Sequence, residues 1–309
     1  MKKCIVIYNP HSGKKARRPF LIEFNNILNQ HGYECEIIFT QHKNHACEIM
    51  EHLGDDVGLV ISVGGDGTFN EVMTGNFKRE KRLLLAHIPQ GTTNDIGSMF
   101  GYNKNMLNNL KDLLNGEVRG MDIGVVNNHP FIYVAGFGKF MNVPYETSRD
   151  MKVKFGYLAY LVEGVKSFIS KTNLYELEYE VNGEKYKGLY SFILISNANR
   201  IAGINNFYKD VKLDDDQFEV LFCSVKSKKD IVKSLYYLRT TDINNVPGFY
   251  FHKTNNLKIK FTRPLKHGWC VDGEEFDKNK KEYDIRIERN VKIMLPKKNI
   301  NKLFKKNNH

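Results

Sequence analysis

The residues Val63-Gly64-Gly65-Asp66-Gly67-Thr68-Phe69-Asn70-Glu71 follow an apolar run at 57–62 and decide how the fold is predicted. A short apolar run rich in β-branched residues is typical of a buried strand, and glycines at its end let phosphate oxygens approach the backbone amides. A carboxylate beside a triphosphate would repel it unless Mg²⁺ lay between them, and the helix that begins here would turn its N-terminal amides to the same anion. The stretch therefore predicts a strand, a nucleotide-phosphate loop and a helix. A glycine turn that only joins strand to helix is the alternative.

The first 121 residues alternate strand-like apolar runs with segments whose apolar residues recur at helical spacing. Strands are expected at 5–8, 33–39, 57–62 and 83–88, and helices at 20–28, 46–53, 70–76 and 106–114. This alternation predicts a doubly wound α/β domain, whose ligands bind at the carboxyl ends of its strands. Asn9, Thr40, the glycine loop and Thr92 all follow such strand ends.

From about Met121 the pattern changes to short strands. Two hairpins are predicted: strands at 122–126 and 130–135 joined by a turn at 127–129, and strands at 174–181 and 185–195 joined by the turn Asn182-Gly183. Further strands are expected at 218–225, 257–261, 268–271, 283–287 and 291–295, with helices at 155–169 and 230–238. The sequence thus predicts an α/β domain over 1–121, a β-rich, sandwich-like domain over 122–295 and a basic tail over 296–309. The active site is expected in the cleft between the two domains.

Three segments resemble motifs of the diacylglycerol kinase catalytic-domain family. The glycine loop resembles its GGDGTxNE signature, Pro89-Gln90-Gly91-Thr92-Thr93-Asn94-Asp95 its PxGTxND segment, and Val271-Asp272-Gly273-Glu274 its late DGE. NAD kinases share only the first half of the first motif. The likeness is greatest to the compact, soluble bacterial lipid kinases of this family.

The resemblance implies an ATP-dependent kinase that phosphorylates the hydroxyl of diacylglycerol to give phosphatidic acid, with Mg²⁺ as the metal. Glu274 would accept the proton of the lipid hydroxyl, Asp66 would reach Mg²⁺ through water, and Asp95 and Asp122 would complete the acidic network. The nucleotide would be held by the residues that match the family's contacts, which are Asn9, Thr40, Gly64, Gly65, Asp66, Gly67, Thr68, Phe69, Asn70, Glu71 and Thr92. Structural roles are the alternatives: Asp122 could open the hairpin, Asp95 could cap a helix, and Glu274 could belong to a turn.

The segment Lys212-Leu213-Asp214-Asp215-Asp216-Gln217 resembles a loop in which the family holds a structural Mg²⁺. The resemblance implies that the Asp215 carboxylate and the carbonyls of Lys212 and Gln217 would be the ligands. Asp216 stands where the bacterial relatives usually have glycine, the default residue where φ must be positive, although Asp tolerates that conformation. A solvated acidic turn is the alternative.

Composition limits where such an enzyme could work. The opening apolar run ends at Asn9-Pro10, too early for a signal peptide, and no segment approaches the roughly 20 apolar residues of a membrane-spanning helix. The five cysteines are scattered and lack a CxxC pair, which fits a reducing cytoplasm. A lipid substrate is therefore expected to be met at the inner face of the membrane by a peripherally bound, cytoplasmic protein.

The net charge of +11 is unevenly distributed, because residues 1–122 carry 14 basic and 14 acidic side chains. A basic second half suits an anionic bilayer, where each Lys or Arg near the surface contributes about 1 kcal/mol. A solvated lysine-rich surface and a nucleic-acid footprint are the alternatives, and no nucleic-acid-binding motif accompanies the charge.

The sequence does not identify the lipid acceptor. Apolar and aromatic residues at 155–162 and 235–238 could line a lipid pocket, or they could face the core of the domain. Phosphatidylglycerol and a sphingoid base are alternative acceptors. NAD kinase and a non-catalytic, nucleotide-binding membrane protein are further alternatives, and a homodimer and the surface that meets the membrane are left open.

Overall fold

The computed structural model describes most of the 309 residues. The described residues are 1–13, 18–91, 94–138, 174–197, 200–201, 204–205, 211–225, 227, 229–230, 233–234, 237, 243–265, 268–272, 274–276 and 279–305. Thr92, the predicted helix at 155–169 and much of the predicted helix at 230–238 lie outside them. The chain divides into two compact units, here called the first unit (Met1–Ile123, Ala198–Asp216 and Glu288–His309) and the second unit (Gly124–Asn197 and Gln217–Ile287).

The amino-terminal half of the chain begins with strands and helices in alternation. In chain order these are β1 Lys2–Tyr8, α1 Arg18–Gln30, β2 Tyr33–Phe39, α2 His45–His52, β3 Leu59–Gly64, α3 Asp66–Lys78, β4 Leu85–Pro89, α4 Asp95–Met99, α5 Met106–Leu114 and β5 Glu117–Val126. Each predicted element of this region is present within a few residues of its expected bounds.

Strands dominate the remainder of the described chain. In chain order they are β6 His129–Phe131, β7 Val134–Gly138, β8 Tyr175–Val181, β9 Glu184–Tyr190, β10 Phe192–Ser196, β11 Arg200–Ile201, β12 Ile204–Asn205, β13 Phe218–Cys223, β14 Phe249–Thr254, β15 Asn256–Phe261, β16 Trp269–Val271, β17 Glu274–Phe276 and β18 Glu282–Leu295. Short 3-10 helices occupy Ile243–Asn245 and Lys297–Asn299, and α6 follows at Ile300–Leu303.

The first unit is built on a parallel sheet in the order β2, β1, β3 and β4. Because β1, β3 and β4 are buried on both faces, they read as continuous apolar runs rather than as alternating ones. One face packs on apolar side chains of α1 and α5, such as Phe24, Leu28 and Leu110. The opposite face packs on α3, where Phe69 is fully buried. The predicted doubly wound α/β architecture is confirmed.

The second unit is a β-sandwich, as predicted. Strands β15, β8 and β9, with the first part of β18, form one sheet, and the order β14, β13, β10, β7, β16 and β17 forms the other. Alternate residues of both sheets point into a shared apolar core, whose members include Tyr179, Ile259, Ile193, Val220 and Trp269.

Both predicted hairpin turns are present. Asn127 and Asn128 take positive φ values of 45° and 69° between β5 and β6. Asn182 and Gly183, with φ values of 52° and 80°, join β8 to β9. Successive positive φ values are typical of the two-residue hairpin turns that Asn and Gly favour.

Two strands that were predicted as continuous are divided in the structure. The predicted strand over 130–135 ends at Phe131, and β7 then joins the other sheet by pairing with β10 and β16. The predicted strand over 185–195 is divided at Ser191, whose backbone N–H donates to the carbonyl of Cys223 at 2.7 Å. Both divisions lie within largely apolar runs, so hydrophobicity alone does not reveal the change of sheet. The structure also joins the two strands predicted at 283–287 and 291–295 into β18, with Asn290 at φ 60°.

The compact units differ from the predicted contiguous domains, since residues 198–216 and 288–309 return to the first unit. The segment predicted as a basic tail is folded through Lys305. Ile300, Leu303 and Phe304 are buried there, because three apolar side chains at helical spacing lie among the lysines. Among the described residues, no helix combines the length and the apolar character needed to cross a membrane.

Candidate active site

The carboxyl ends of the parallel strands form one edge of the first unit, and successive loops are joined there by backbone hydrogen bonds. Asn9 N–H donates to the carbonyl of Val63 at 2.9 Å, and Thr40 N–H donates to that of Tyr8 at 2.9 Å. Gln90 N–H donates to the carbonyl of Gly64 at 2.6 Å. The loops that carry the predicted nucleotide residues are therefore held side by side.

Asn9 and Thr68 are brought together as the sequence analysis expects. The Asn9 amide Nδ2 donates to the Thr68 hydroxyl at 3.0 Å, while its Oδ1 accepts the backbone N–H of His11 at 2.9 Å. Thr68 lies in the first turn of α3, so this contact connects the loop after β1 to the helix after β3. Two segments far apart in sequence thereby present polar groups at the same strand edge.

The glycines at this edge differ in whether the fold leaves room for a side chain. A Cβ atom on Gly64 would lie 2.5 Å from the Thr68 hydroxyl, and one on Gly91 would lie 2.7 Å from the Cα atom of Gly65. Gly64 is therefore required by the closeness of Thr68 in the first turn of α3, and Gly91 by the close approach of the two loops. A Cβ on Gly67 would meet nothing within 4 Å. The fold does not require glycine at that position, and the bare backbone there leaves room for a ligand.

The Asp66 carboxylate joins α3 to the neighbouring short helix α4. Its Oδ2 accepts the backbone N–H of Asp95 at 2.9 Å, and its Oδ1 accepts that of Ile96 at 3.1 Å. Asn94 supports the same turn in the left-handed conformation, with φ 50°, and its side-chain amide exchanges two hydrogen bonds of 2.7 Å with the backbone of Gly91. The structure therefore gives Asp66 a capping role that the sequence analysis missed.

Three residues of the glycine motif have structural contacts of their own. Phe69 is fully buried and stacks on His87 with ring centroids 4.8 Å apart, and Asn70 is also buried. Both Glu71 oxygens accept backbone N–H groups at the start of α2, from Asn44 at 2.9 Å and from Ala46 at 3.1 Å. The Phe69 ring and the Glu71 carboxylate are thus directed to neighbouring elements of the fold, and any nucleotide contact of these residues stays a prediction.

Asp122 holds two backbone segments together in the first unit. Its Oδ2 accepts the N–H of Asp216 at 2.8 Å, its Oδ1 accepts that of Asn290 at 3.4 Å, and its own N–H donates to the carbonyl of Leu213 at 2.6 Å. Burial raises the pKa of the Asp122 carboxyl above its ordinary value, and the two amide hydrogen bonds offset part of that rise. Asp122 therefore contacts the backbone of the segment over 212–216, and the acidic network that the family resemblance implies for it stays a prediction.

The acidic loop over 212–216 is tied to the carboxyl-terminal segment. The Lys212 ammonium donates to the carbonyls of Asn301 and Lys302 at 3.0 and 2.7 Å, and Asp214 accepts the N–H of Lys305 at 2.8 Å. The Lys212 charge therefore does not face the carboxylates of the loop.

Asp216 keeps the backbone conformation for which glycine is the usual residue, with φ 66°. Its carboxylate forms a two-pronged ion pair with the guanidinium of Arg289. Asp215 Oδ2 lies 3.4 Å from the backbone nitrogen of Lys212, at the outer limit of a hydrogen bond. This geometry is compatible with Asp215 as a ligand of the predicted Mg²⁺ site. Arg289 is a partner of Asp216 that the sequence does not reveal.

The DGE segment forms a tight hairpin in the second unit. Val271 on β16 pairs with Glu274 on β17, and the turn places Asp272 at φ 47°. The buried Asp272 carboxylate accepts three consecutive backbone N–H groups, from Ile132 at 2.7 Å, Tyr133 at 3.1 Å and Val134 at 3.0 Å. These hydrogen bonds hold the turn two residues before Glu274. The side chain of Glu274, together with Gly273 and Thr92, lies outside what the structure describes.

Known proteins resemble this chain, both over its amino-terminal part and over nearly its full length. Residues 3–126 match the family model described as the diacylglycerol kinase catalytic domain. A relative named diacylglycerol kinase from Bacillus subtilis (strain 168) is 28% identical over 306 residues, covering 98% of this chain and 99% of its own. Another of that name from Staphylococcus carnosus (strain TM300) is 27% identical and covers 96% of each chain.

The fold has a solved counterpart. The crystal structure of a diacylglycerol kinase from Bacillus anthracis str. Sterne superposes with a TM-score of 0.75 at 21% identity, covering 95% of this chain and 97% of that one. At that identity the likeness concerns the fold, and it includes both units of the chain. Residues 3–126 are thus similar to the diacylglycerol kinase catalytic domain, and nearly the whole chain is similar to relatives named diacylglycerol kinase.

Proposed function

We propose that this protein is an ATP-dependent lipid kinase that transfers the γ-phosphoryl group to the hydroxyl of diacylglycerol, giving phosphatidic acid. The observation that carries the proposal is the convergence of the glycine loop, the Asn9–Thr68 contact and the Asp66-capped turn at one strand edge. The names of the near full-length relatives support diacylglycerol as the acceptor.

The backbone amides at this strand edge are suited to binding a triphosphate. Gly67 lies in the first turn of α3, where a side chain would meet nothing within 4 Å, so a phosphate oxygen can approach the amides at the positive end of the helix dipole. Thr68 and Asn9 add polar side-chain atoms beside it. The chain would therefore bind the nucleotide chiefly through positioned amides and hydroxyls, which is most of what phosphoryl transfer asks of a protein.

Asp66 and Asp95 would supply the acidic side of the nucleotide site. A carboxylate has about four lone-pair positions, so the two amide hydrogen bonds of Asp66 leave capacity for a further contact. Mg²⁺ bound to ATP would neutralise the developing charge on the transferred group. Asp66 would hold and orient Mg·ATP while keeping the following turn in place.

Glu274 would accept the proton of the lipid hydroxyl. Its position on β17 is set by the Val271 pairing and by Asp272, whose three amide contacts keep the hairpin in one conformation. Rigid support of this kind matters because a base must lie within hydrogen-bond distance of the proton it takes. Asp272 would thus be a positioning residue for Glu274.

The acceptor would be met at an anionic membrane surface. The net charge of +11 favours association with anionic lipid, and such attraction weakens as salt shortens the Debye length from about 10 Å at 0.1 M to about 3 Å at 1 M. Liposome sedimentation at the two salt concentrations measures this association. Equal sedimentation with neutral and anionic liposomes at low salt would leave the lysines as residues that favour solubility.

The proposal is tested with the purified full-length chain, labelled ATP and mixed micelles that contain one acceptor at a time. The panel is diacylglycerol, phosphatidylglycerol, a sphingoid base and NAD, and the phosphorylated product is identified by mass. We expect phosphatidic acid from diacylglycerol at a rate well above that of every other acceptor. Preferential phosphorylation of another acceptor, or the absence of transfer with any of the four, would contradict the proposal.

A further inference from the structure

The segment between β2 and α2 carries a cluster of three side chains that the kinase proposal does not use. His42, His45 and Glu48 each offer a ligand atom, and these three atoms lie within 4.8 Å of one another. His45 and Glu48 are three residues apart in the first turn of α2, so they share one face of the helix. His42 reaches the same place from the preceding loop. The two imidazole rings stack with centroids 4.6 Å apart.

His42 is held in the orientation of a metal-binding histidine. Its Nδ1 lies 3.0 Å from the backbone carbonyl of Lys43, and because a carbonyl only accepts, Nδ1 carries the proton. In the neutral ring the lone pair is then on Nε2, which lies 3.6 Å from Glu48 Oε2. Metal-bound histidines usually donate their other N–H in this way, and two ligands of a tetrahedral Zn²⁺ ion lie about 3.3 Å apart.

His45 would complete the set by exchanging one hydrogen bond for a metal bond. Its Nδ1 accepts the backbone N–H of Gln41 at 3.0 Å. An ion bound at Nδ1 would displace that hydrogen bond, and an ion bound at Nε2 would require the ring proton to move to Nδ1, with the same consequence. Binding therefore loses one hydrogen bond to the Gln41 amide and gains a ligand.

The turn that presents these side chains is anchored from a neighbouring helix. Asn44 lies between the two histidines in the left-handed conformation, with φ 68°. Its N–H and that of Ala46 donate to the two oxygens of Glu71 on α3 at 2.9 and 3.1 Å. Both histidines are therefore attached to backbone whose position is fixed before any ion arrives.

We propose that His42, His45 and Glu48 form a binding site for a divalent transition-metal ion of the Zn²⁺ class. Two imidazole nitrogens and one carboxylate oxygen suit Zn²⁺, Co²⁺, Ni²⁺ and Cu²⁺, whereas Mg²⁺ prefers oxygen ligands. His42 and Glu48 are exposed, so water would fill the remaining positions. This ion would differ in type from the Mg²⁺ that accompanies ATP.

The site is tested by titrating the full-length chain with Zn²⁺ and with Co²⁺ in excess Mg²⁺, by calorimetry and by visible absorption. The variants are His42→Gln, His45→Gln and Glu48→Gln. The matched control is His52→Gln on the same helix, whose Nδ1 bonds the carbonyl of Glu48 at 2.7 Å. We expect one equivalent of ion in the wild type and the control, and at least a tenfold loss of affinity in each of the three variants.

The absorption of Co²⁺ separates this site from binding by cysteine. Nitrogen and oxygen ligands give weak visible bands without the strong near-ultraviolet charge-transfer band of a thiolate. Zn²⁺ should also raise the Tm of the wild type and of His52→Gln, but not that of His42→Gln or Glu48→Gln. Unchanged ion binding in the three variants, a thiolate band at one equivalent, or no ion bound would each overturn the proposal.

Discussion

Asp66 Oδ2 lies 2.9 Å from the backbone nitrogen of Asp95, so the first residue of α3 caps the first turn of α4. The contact joins two segments that resemble separate family motifs, GGDGTxNE and PxGTxND. A residue expected to act on Mg·ATP thus also holds the turn that carries a second predicted acid. Variants of Asp66 should therefore change both nucleotide use and folding.

For Asp66→Asn we expect a lower kcat/KM for Mg·ATP together with a lower Tm. The amide NH₂ group cannot accept from the Asp95 or Ile96 backbone, and losing a hydrogen bond to a charged group costs about 1.5 to 3 kcal/mol. Steady-state kinetics at several Mg²⁺ concentrations, with thermal melting, measure the two effects. Asp56→Asn is the control, because Asp56 is an exposed partner of Lys3. An unaltered Mg²⁺ dependence would argue against a metal contact of Asp66.

Gly67→Ala should separate ligand binding from folding. Alanine in a helix is about 0.5 to 1 kcal/mol more favourable than glycine, and its methyl group would meet no atom within 4 Å. We therefore expect an unchanged or higher Tm with a raised KM for ATP.

The matched variant at the neighbouring loop is Gly91→Ala, whose methyl group would lie 2.7 Å from the Cα atom of Gly65. It should lower the Tm as well as nucleotide affinity. An ATP KM in Gly67→Ala equal to that of the wild type would show that the nucleotide does not use this open backbone.

Glu274→Gln should lower kcat by about 10²- to 10⁴-fold while leaving ATP binding nearly unchanged, because a carboxylate that takes the proton in the transition state contributes that much. Glu275→Gln is the neighbouring control and should keep most of the activity. Single-turnover assays and direct ATP binding measure the two quantities. Retention of most of the wild-type kcat by Glu274→Gln would remove the residue from the mechanism.

Asp272→Asn should destabilise the second unit and lower kcat through Glu274. In the wild type both Asp272 oxygens accept backbone N–H groups, and in the variant one of them is replaced by an NH₂ group that cannot accept. A buried group left unsatisfied costs about 1 to 3 kcal/mol. Asp284→Asn, at an exposed position of β18, is the control. Chemical denaturation and kcat measure the effects, and a variant as stable and active as the wild type would refute the anchoring role.

The sequence predicts the architecture of the first unit closely because its strands are buried on both faces and its helices have regular apolar spacing. It also predicts that Asn9, Thr40 and the glycine loop share one edge, since parallel strands bring their carboxyl ends together. The Asn9–Thr68 contact shows that two of these loops meet at that edge, while their contacts with a nucleotide stay a prediction. A rule of topology is enough here, and no knowledge of individual contacts is needed.

The capping roles of Asp66, Glu71 and Asp272 could not be predicted in the same way. Each carboxylate accepts backbone N–H groups from a segment distant in sequence, and such a pairing leaves no periodic pattern. The division of strands at Ser191 and after Phe131 is hidden for a related reason, because a largely apolar run continues while the hydrogen-bond partner changes. One signal was available for Asp272, since Asp is among the residues that tolerate the left-handed turn it occupies.

The acidic loop combines a predicted conformation with an unpredicted partner. Asp216 adopts φ 66°, and its charge is balanced by Arg289 from β18. Replacing Asp216 by glycine would remove a residue held at positive φ but would leave the guanidinium without this carboxylate. Exposed ion pairs contribute about 0.2 to 1 kcal/mol, so the two effects should nearly cancel. We expect Asp216→Gly to keep its activity and to change the free energy of unfolding by less than about 1 kcal/mol.

Asp215→Ala should behave differently if its carboxylate binds the structural Mg²⁺ that the family resemblance implies. The Lys212 ammonium donates to the carbonyls of Asn301 and Lys302, so its charge is used in holding the carboxyl-terminal segment. The wild type and Asp216→Gly should therefore gain Tm as Mg²⁺ is added without nucleotide, whereas Asp215→Ala should lose that gain. Loosening the loop should also lower kcat, because small misplacements of catalytic groups can cost about 10²-fold. A wild-type Tm that does not respond to Mg²⁺, together with full activity of Asp215→Ala, would identify the loop as a turn held by protein contacts alone.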